Sequence, residues 1–583
     1  MVFEDFSYRY PAARDRWPAL DHVSLEVEAG EFVGVVGPSG AGKSTLAQAT
    51  VGLVPHFYRG AVGGRVVVDG VDTLRSSVAE LARRVGLVFQ NPFTQVSGAK
   101  LTVFEEVALG LENLGVPRDE MRRRVEEALA ALGIAHLRDR NPFALSGGEM
   151  QRLAIACIMA LRPRIVVLDE PTSQLDPTGT AEVFAAVEAL RKRGVTIVMV
   201  EQKVERLAEH ADRVVLLERG RVVADGSPAE VFSRPDLESH GVRRPVYAEA
   251  ARRLGVAPGG RLPVTLAEAV AALGPAPAPE AATGPRAATG PQADSTPAPG
   301  DRALGPRGGG TPVTAVKALG VRFGYVPGEE VLRGVTLELV APEAVAVVGQ
   351  NGAGKTTFAR LLSGLLRPTH GVVLVDGRDT REHTPARLAA KVGLVFQNPS
   401  DQIFKSRTLD EVMFGPLNLG VPRKEAEARA MAALERVGLA QAARRNPYDS
   451  GLAERKLIGI ASILAMRTPV VVFDEPTIGQ DHRGVELVRS IVRELVDEGR
   501  LVLTITHDMD FVASTFERTV VFRRGEVTAD GPTRRVFASP DRLADSFLEE
   551  PHVTRLGRAL GHRETLLTVA ELARVHRARR EAP

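Results

Sequence analysis

The chain has 583 residues, 44% hydrophobic and 25% charged, the balance of a globular protein with room for several domains. A formal net charge of +2 is too small to argue for a nucleic-acid or polyanion surface. The single cysteine, Cys157, excludes a disulfide framework within the chain and an iron–sulfur cluster bound by several cysteines.

Residues Met1–Tyr10 carry charges where a signal peptide would be apolar, and no apolar run reaches the roughly 18 residues of a membrane span. The chain is therefore expected in the cytosol, with any membrane role exerted through a partner.

From the N-terminus, the first strong element is "EFVGVVG" (31–37), a continuous apolar run ending in glycine, as buried parallel strands do. It leads into "GPSGAGKST" (37–45), which fits the phosphate-loop pattern G-x4-G-K-[ST]. Gly37, Gly40 and Gly42 let backbone N–H groups approach phosphate oxygens. Lys43 supplies charge on the outer phosphates, and Ser44, followed by Thr45, offers a hydroxyl to Mg²⁺. "VGLVFQNP" (85–92) is a further strand, and "RDEMRRRVEEALAALG" (118–133) reads as a helix. "FALSGGEMQ" (143–151) then opens an apolar helical run ending in the strand "RIVVLDEP" (164–171). Asp169 is placed to hold Mg²⁺, and Glu170, one residue on, to orient or deprotonate an attacking water. The strand "VTIVMVE" (195–201) is followed by Gln202.

The whole series then recurs. Gly37 and Gly349 open equivalent loops, "VGLVFQNP" returns at 392–399, and Asp-Glu-Pro at 169 returns at 474. "GQNGAGKTT" supplies Gly349, Gly352, Gly354, Lys355, Thr356 and Thr357, and "PVVVFDEP" supplies Asp474 and Glu475. "LVLTITH" ends on His507. Even the tails match, with Pro245 and Leu254-Gly255 against Pro551 and Leu560-Gly561. This organisation divides the chain into a first nucleotide domain over 1–240 and a helical extension over 241–273. A linker follows over 274–312, then a second nucleotide domain over 313–540 and an extension over 541–583. The linker is dominated by Pro, Ala and Gly without apolar periodicity, and is expected to be a disordered, flexible tether. Strands alternating with helices predict an α/β fold with a parallel sheet.

Taken together these residues resemble ATP-binding cassette (ABC) ATPases, two in tandem, over all but the linker and the last few residues. The resemblance implies two P-loop domains, each with a helical signature subdomain and a short C-terminal helical extension, using ATP and Mg²⁺. It implies that Gln90 and Gln397 ligate Mg²⁺ and sense a membrane partner. Ser146, Gly147 and Gly148 stand in the signature loop, and Ser173-Gln174-Leu175-Asp176 form the D-loop. Tyr10 and Tyr325 resemble the aromatics that stack on adenine, and His507 resembles the switch histidine.

A narrower resemblance rests on "FQNPFTQ" (89–95) and "FQNPSDQIF" (396–404), which look like the ATPases of energy-coupling factor (ECF) vitamin and metal-ion importers. It implies a transmembrane coupling protein, a substrate-binding membrane protein and a peripheral position on the cytoplasmic face of the membrane, with no nucleic-acid partner. Two other readings share the duplication. Tandem proteins that act on ribosomes join their halves by a charged helical hairpin, which 274–312 does not resemble. Tandem ATPases of sugar importers give no reason for Gln-Asn-Pro-x-x-Gln or the paired tails.

The two copies are not equal. "YDSGLAERK" (448–456) places Gly451, Leu452 and Ala453 where the first copy has Ser146, Gly147 and Gly148. Gly451 offers no hydroxyl, and Leu452 puts an isobutyl group where backbone should approach phosphate. Gln202 stands opposite His507, and glutamine can donate a hydrogen bond but not take up a charge. In the family the halves pair, each ATP lying between one P-loop and the other half's signature. The resemblance therefore implies one degenerate site, holding Lys43, Asp169, Glu170 and Gln202. It also implies one competent site, holding Lys355, Asp474, Glu475 and His507 and facing the intact signature.

Overall fold

A computed structural model describes residues 1–11, 17–173, 175–275 and 313–581. All but the first two residues of the expected linker over 274–312 lie outside that range. The chain forms two compact units, Met1–Glu249 with Ala257–Glu268 and Ile478–Val485, and Ala250–Val256 with Ala269–Thr477 and Glu486–Pro583.

In the first unit the P-loop strand Phe32–Val36 lies centrally in a six-stranded sheet. On one side come Thr196–Val200, Ile165–Asp169 and Val85–Val88; on the other come Arg213–Glu218 and Arg221–Gly226. All pairs are parallel except the last. Every residue of the three central strands is buried, so both faces are covered and the sequence shows unbroken apolar runs rather than alternation. A four-stranded antiparallel sheet that includes Val2–Arg9 and Leu20–Glu26 shares one core with it, through Phe3, Phe6, Val33 and Val167. Three helices, Val103–Asn113, Arg118–Ala131 and Gly147–Leu161, form the signature subdomain.

The second unit repeats this strand order: Val392–Val395, Val470–Asp474, Leu501–Ile505, Glu343–Val348, Arg518–Arg523 and Glu526–Pro532. Its signature helices are Thr408–Asn418, Arg423–Arg436 and Leu452–Met466. The tail repeat is also structural, since helices begin just after Pro245 and Pro551 and reach left-handed glycines at Gly255 and Gly561. Among the described residues, no helix is long and apolar enough to cross a membrane.

Candidate functional site

The P-loops are shaped by close backbone approach. A Cβ on Gly37 would sit 2.1 Å from the carbonyl oxygen of Leu217, and one on Gly349 would sit 2.2 Å from that of Phe522. Only glycine fits either place. The loops then wind into the helices Lys43–Thr50 and Lys355–Leu362, whose free N-terminal N–H groups favour an anion. Each P-loop lysine is buried and donates to its own loop. Lys43 Nζ reaches the carbonyls of Gly37 and Pro38, each at 2.8 Å; Lys355 Nζ reaches those of Gly349 at 2.6 Å and Gln350 at 2.9 Å.

The two tyrosines take matching positions. Tyr10 Oη lies 3.2 Å from Thr45 Oγ1, and Tyr325 Oη lies 3.2 Å from Thr357 Oγ1. Each phenol ring is thereby held beside its P-loop helix, where a purine base could stack.

At the end of each Walker-type strand lies a buried acidic pair. The hydroxyls of Ser44 and Thr356 are hydrogen-bonded to Asp169 and Asp474, while Oδ1 of each aspartate is buried without a partner among the described residues. Burial, then the neighbouring Glu170, pushes Asp169 up to about 7; burial, then Glu475, pushes Asp474 up to about 6. A buried carboxylate with one oxygen unpartnered, paired with a hydroxyl, is a hard-oxygen donor set that fits Mg²⁺.

The glutamates that follow share one backbone conformation. Glu170 has φ 48° and Glu475 has φ 51°, both left-handed, and their N–H groups donate at 2.9 Å to the carbonyls of Val200 and Ile505. Their side chains diverge. Glu170 accepts from Gln90 Nε2 on Oε2 and from Gln202 Nε2 on Oε1, each at 2.7 Å. Glu475 has His507 Nδ1 at 3.0 Å from Oε2 as an ion-pair contact. Burial raises the Glu170 carboxyl and outweighs the opposing pull of Lys43 and Gln202. Burial also raises Glu475, but His507, Lys355 and Lys456 together outweigh it and leave it below its ordinary value.

The signature helices start in register. Ser146 caps Gly147–Leu161 with φ −65° and ψ 162°, and Gly451 caps Leu452–Met466 with φ −66° and ψ 170°. The backbone is thus the same, but only Ser146 forms a capping box, its Oγ accepting from Glu149 N while Glu149 returns a bond to Ser146 N. In the first D-loop Gln174 lies outside the described residues, and Asp176 caps the following helix by accepting from Gly179 N at 2.9 Å.

The sequence pointed to Gln95 and Gln402 as coupling residues but not to their contacts, and it passed over a second feature altogether. Gln95 Oε1 accepts from Phe89 N at 3.0 Å and its Nε2 donates to the Ala154 carbonyl at 3.2 Å, tying the loop after Gln90 to the signature helix. Gln402 does the same between Phe396 N, at 3.1 Å, and the Gly459 carbonyl, at 3.0 Å. The final Gln of each Gln-Asn-Pro-x-x-Gln was the visible signal. The second feature is Lys456, buried against the carbonyl of Glu475; its signal was the pairing of "GGEMQ" with "LAERK".

The ABC transporter family pattern matches residues 20–173 and 332–478. A protein of Methanosarcina acetivorans, provisionally described as an ABC transporter ATP-binding protein, is 39% identical over 99% of this chain and 93% of its own. One of Streptomyces avermitilis with the same description is 37% identical over 95% of this chain and 96% of its own. Among solved structures, cbiO1 of Clostridium perfringens, described as part of the ABC transporter complex cbiONQ, is similar at 28% identity. It covers 40% of this chain and 94% of its own, with a TM-score of 0.36. With two P-loops, two buried acidic pairs and full-length relatives, the chain belongs to the ABC transporter ATP-binding proteins, as a tandem ATPase.

Proposed function

We propose that this tandem ATPase energises an ECF-type importer of a vitamin or transition-metal ion, with one competent and one degenerate hydrolytic centre. It works as a peripheral protein on the cytoplasmic face of the membrane. Its partners in this reading are a transmembrane coupling protein and a substrate-binding membrane protein.

The observation that carries the asymmetry is the surroundings of the two glutamates. A general base needs an ionised carboxylate with a lone pair free for water. Glu170 has both oxygens engaged by amide donors and its carboxyl raised by burial. Glu475 is held ionised, and among the described residues its carboxylate meets only His507 as a side-chain partner. In the competent centre Glu475 takes a proton from water as the water attacks the γ-phosphorus. His507 and Lys355 hold the phosphate oxygens, and ADP departs.

Ser44 with Asp169, and Thr356 with Asp474, would hold Mg²⁺, with Gln90 and Gln397 as further candidate ligands. When bound, the ion neutralises charge on the outer phosphates. ATP on the first P-loop is completed in this reading by the signature at Gly451 and Leu452. ATP on the second is completed by Ser146, Gly147 and Gly148. The halves of one chain therefore pair with each other, and nucleotide should close them without joining two chains in light scattering.

The ECF assignment is supported by Gln-Asn-Pro-x-x-Gln in both halves and by the glutamine ties to the signature helices. A contact on the loops at 90–95 and 397–402 would be passed directly to the helices that face nucleotide. Affinity capture from native membranes tests it. Recovery of an ECF-type coupling protein supports the assignment, and recovery of a sugar permease or ribosomal proteins overturns it.

A further inference from the structure

Lys456 is a lysine buried to 1% exposure in the second turn of a helix, an expensive placement for an ammonium without compensating charge. Its Nζ donates to the main-chain carbonyl of Glu475, and its charge lies beside Glu475 and Asp474. Glu475 sits at φ 51°, a left-handed conformation that is unfavourable for a side-chain-bearing residue and persists only when its surroundings impose it. The Glu475 N–H is fixed by Ile505, and Lys456 fixes the opposite end of the same residue.

The first half has no lysine anchor at this carbonyl. Gln151 occupies the equivalent place at 0% exposure, and both its amide atoms are without hydrogen-bond partners among the described residues. Glu170 has the same left-handed backbone and the same anchor on its N–H, from Val200, but its carbonyl accepts from the Ser173 N–H at 3.3 Å rather than from a lysine. The contrast falls on the pair of glutamates whose side chains also differ.

We infer that Lys456 is a positioning residue that holds Glu475 for water activation. The helix that has lost its own phosphate-facing loop thus serves the hydrolytic centre of its own half. One short segment, "GLAERK", carries both changes: Gly451 and Leu452 at the helix start, and Lys456 one turn later, pointing into the sheet. Burial lowers the Lys456 ammonium to about 8, with Glu475 and Asp474 pulling against it. The inference rests on Glu475 being the working base proposed above.

The test uses the full chain with Lys456→Gln, the residue the first half carries there, and Lys456→Met, which keeps length without a donor. Steady-state hydrolysis, ATP affinity and thermal melting are measured for each, alone and combined with Glu475→Gln. The expected result is a kcat lower by about tenfold with KM within about twofold. Melting and ATP affinity should be retained, and no further loss should appear on top of Glu475→Gln, because a residue acting through Glu475 has nothing left to position. A kcat at the parental value overturns the inference. So does a loss that adds fully to that of Glu475→Gln, or a fall in kcat that tracks a fall in melting temperature and affinity in both variants. If Glu475→Gln itself keeps the parental rate, the base assignment fails instead, and the two failures are told apart.

Discussion

Replacing Glu475 by glutamine keeps the volume and the left-handed backbone but removes the carboxylate proposed to take a proton from water. The side chain is buried, and its carboxylate is held ionised by His507, Lys355 and Lys456 against the cost of burial. Losing a positioned acid–base group lowers rates by about 10²–10⁴, equivalent to about 3–5 kcal/mol of barrier. Glu475→Gln should therefore nearly abolish turnover while ATP still binds. Glu170→Gln removes a carboxylate already committed to Gln90 and Gln202, so its cost should fall mainly on local stability, about 1–3 kcal/mol for a disrupted buried hydrogen-bonded group. Its effect on turnover should stay within about tenfold. The assay is steady-state ATP hydrolysis by the two single variants, with and without the membrane partner, alongside nucleotide binding and melting curves. Comparable losses in both variants would show that the centres are equivalent and that the differences around Glu170 and Gly451 are tolerated variation.

Gln95→Ala with Gln402→Ala should weaken transport more than basal hydrolysis, because each glutamine ties its loop to a signature helix. Equal losses in transport and hydrolysis assays would assign them to folding or nucleotide chemistry. Ser146→Ala removes the cap of Gly147–Leu161 and should cost about 0.5–2 kcal/mol in denaturant unfolding, together with a loss of turnover; unchanged turnover would remove Ser146 from the competent centre. The buried pair His562 and His576, 3.1 Å apart between Nε2 and Nδ1, gives a pH dependence. Burial lowers both imidazoles, so the folded state binds fewer protons than the unfolded one. Their contribution to stability should be present above the ordinary histidine range near pH 6.5 and lost as pH falls below it. Melting curves between pH 7.5 and 5 check this, and replacing both histidines by leucine should flatten that slope.

Much of this protein was legible in its sequence because the decisive demands are local. A glycine that brings backbone against backbone, a strand buried on both faces and a helix cap each leave their mark within a few residues. This is why the strands at Phe32, Ile165 and Thr196 and the helix starts at Ser146 and Gly451 fall where the pattern puts them. The repeat doubled each signal, and the substitutions at 451–453 and 202 stood out against the other copy. What the tertiary structure alone decided is which side chains meet across elements. Lys456 and Glu475 lie on a helix and at the end of a neighbouring strand, and Gln95 reaches Ala154 and Gln402 reaches Gly459 from loops far away in the chain. Glu170 is clamped by Gln90 and Gln202 from two different strand ends. Such contacts depend on the order of strands in the sheet and on the rotation of each helix against it, neither of which a run of residues encodes by itself. Local chemistry specified two nucleotide folds; packing made their glutamates different.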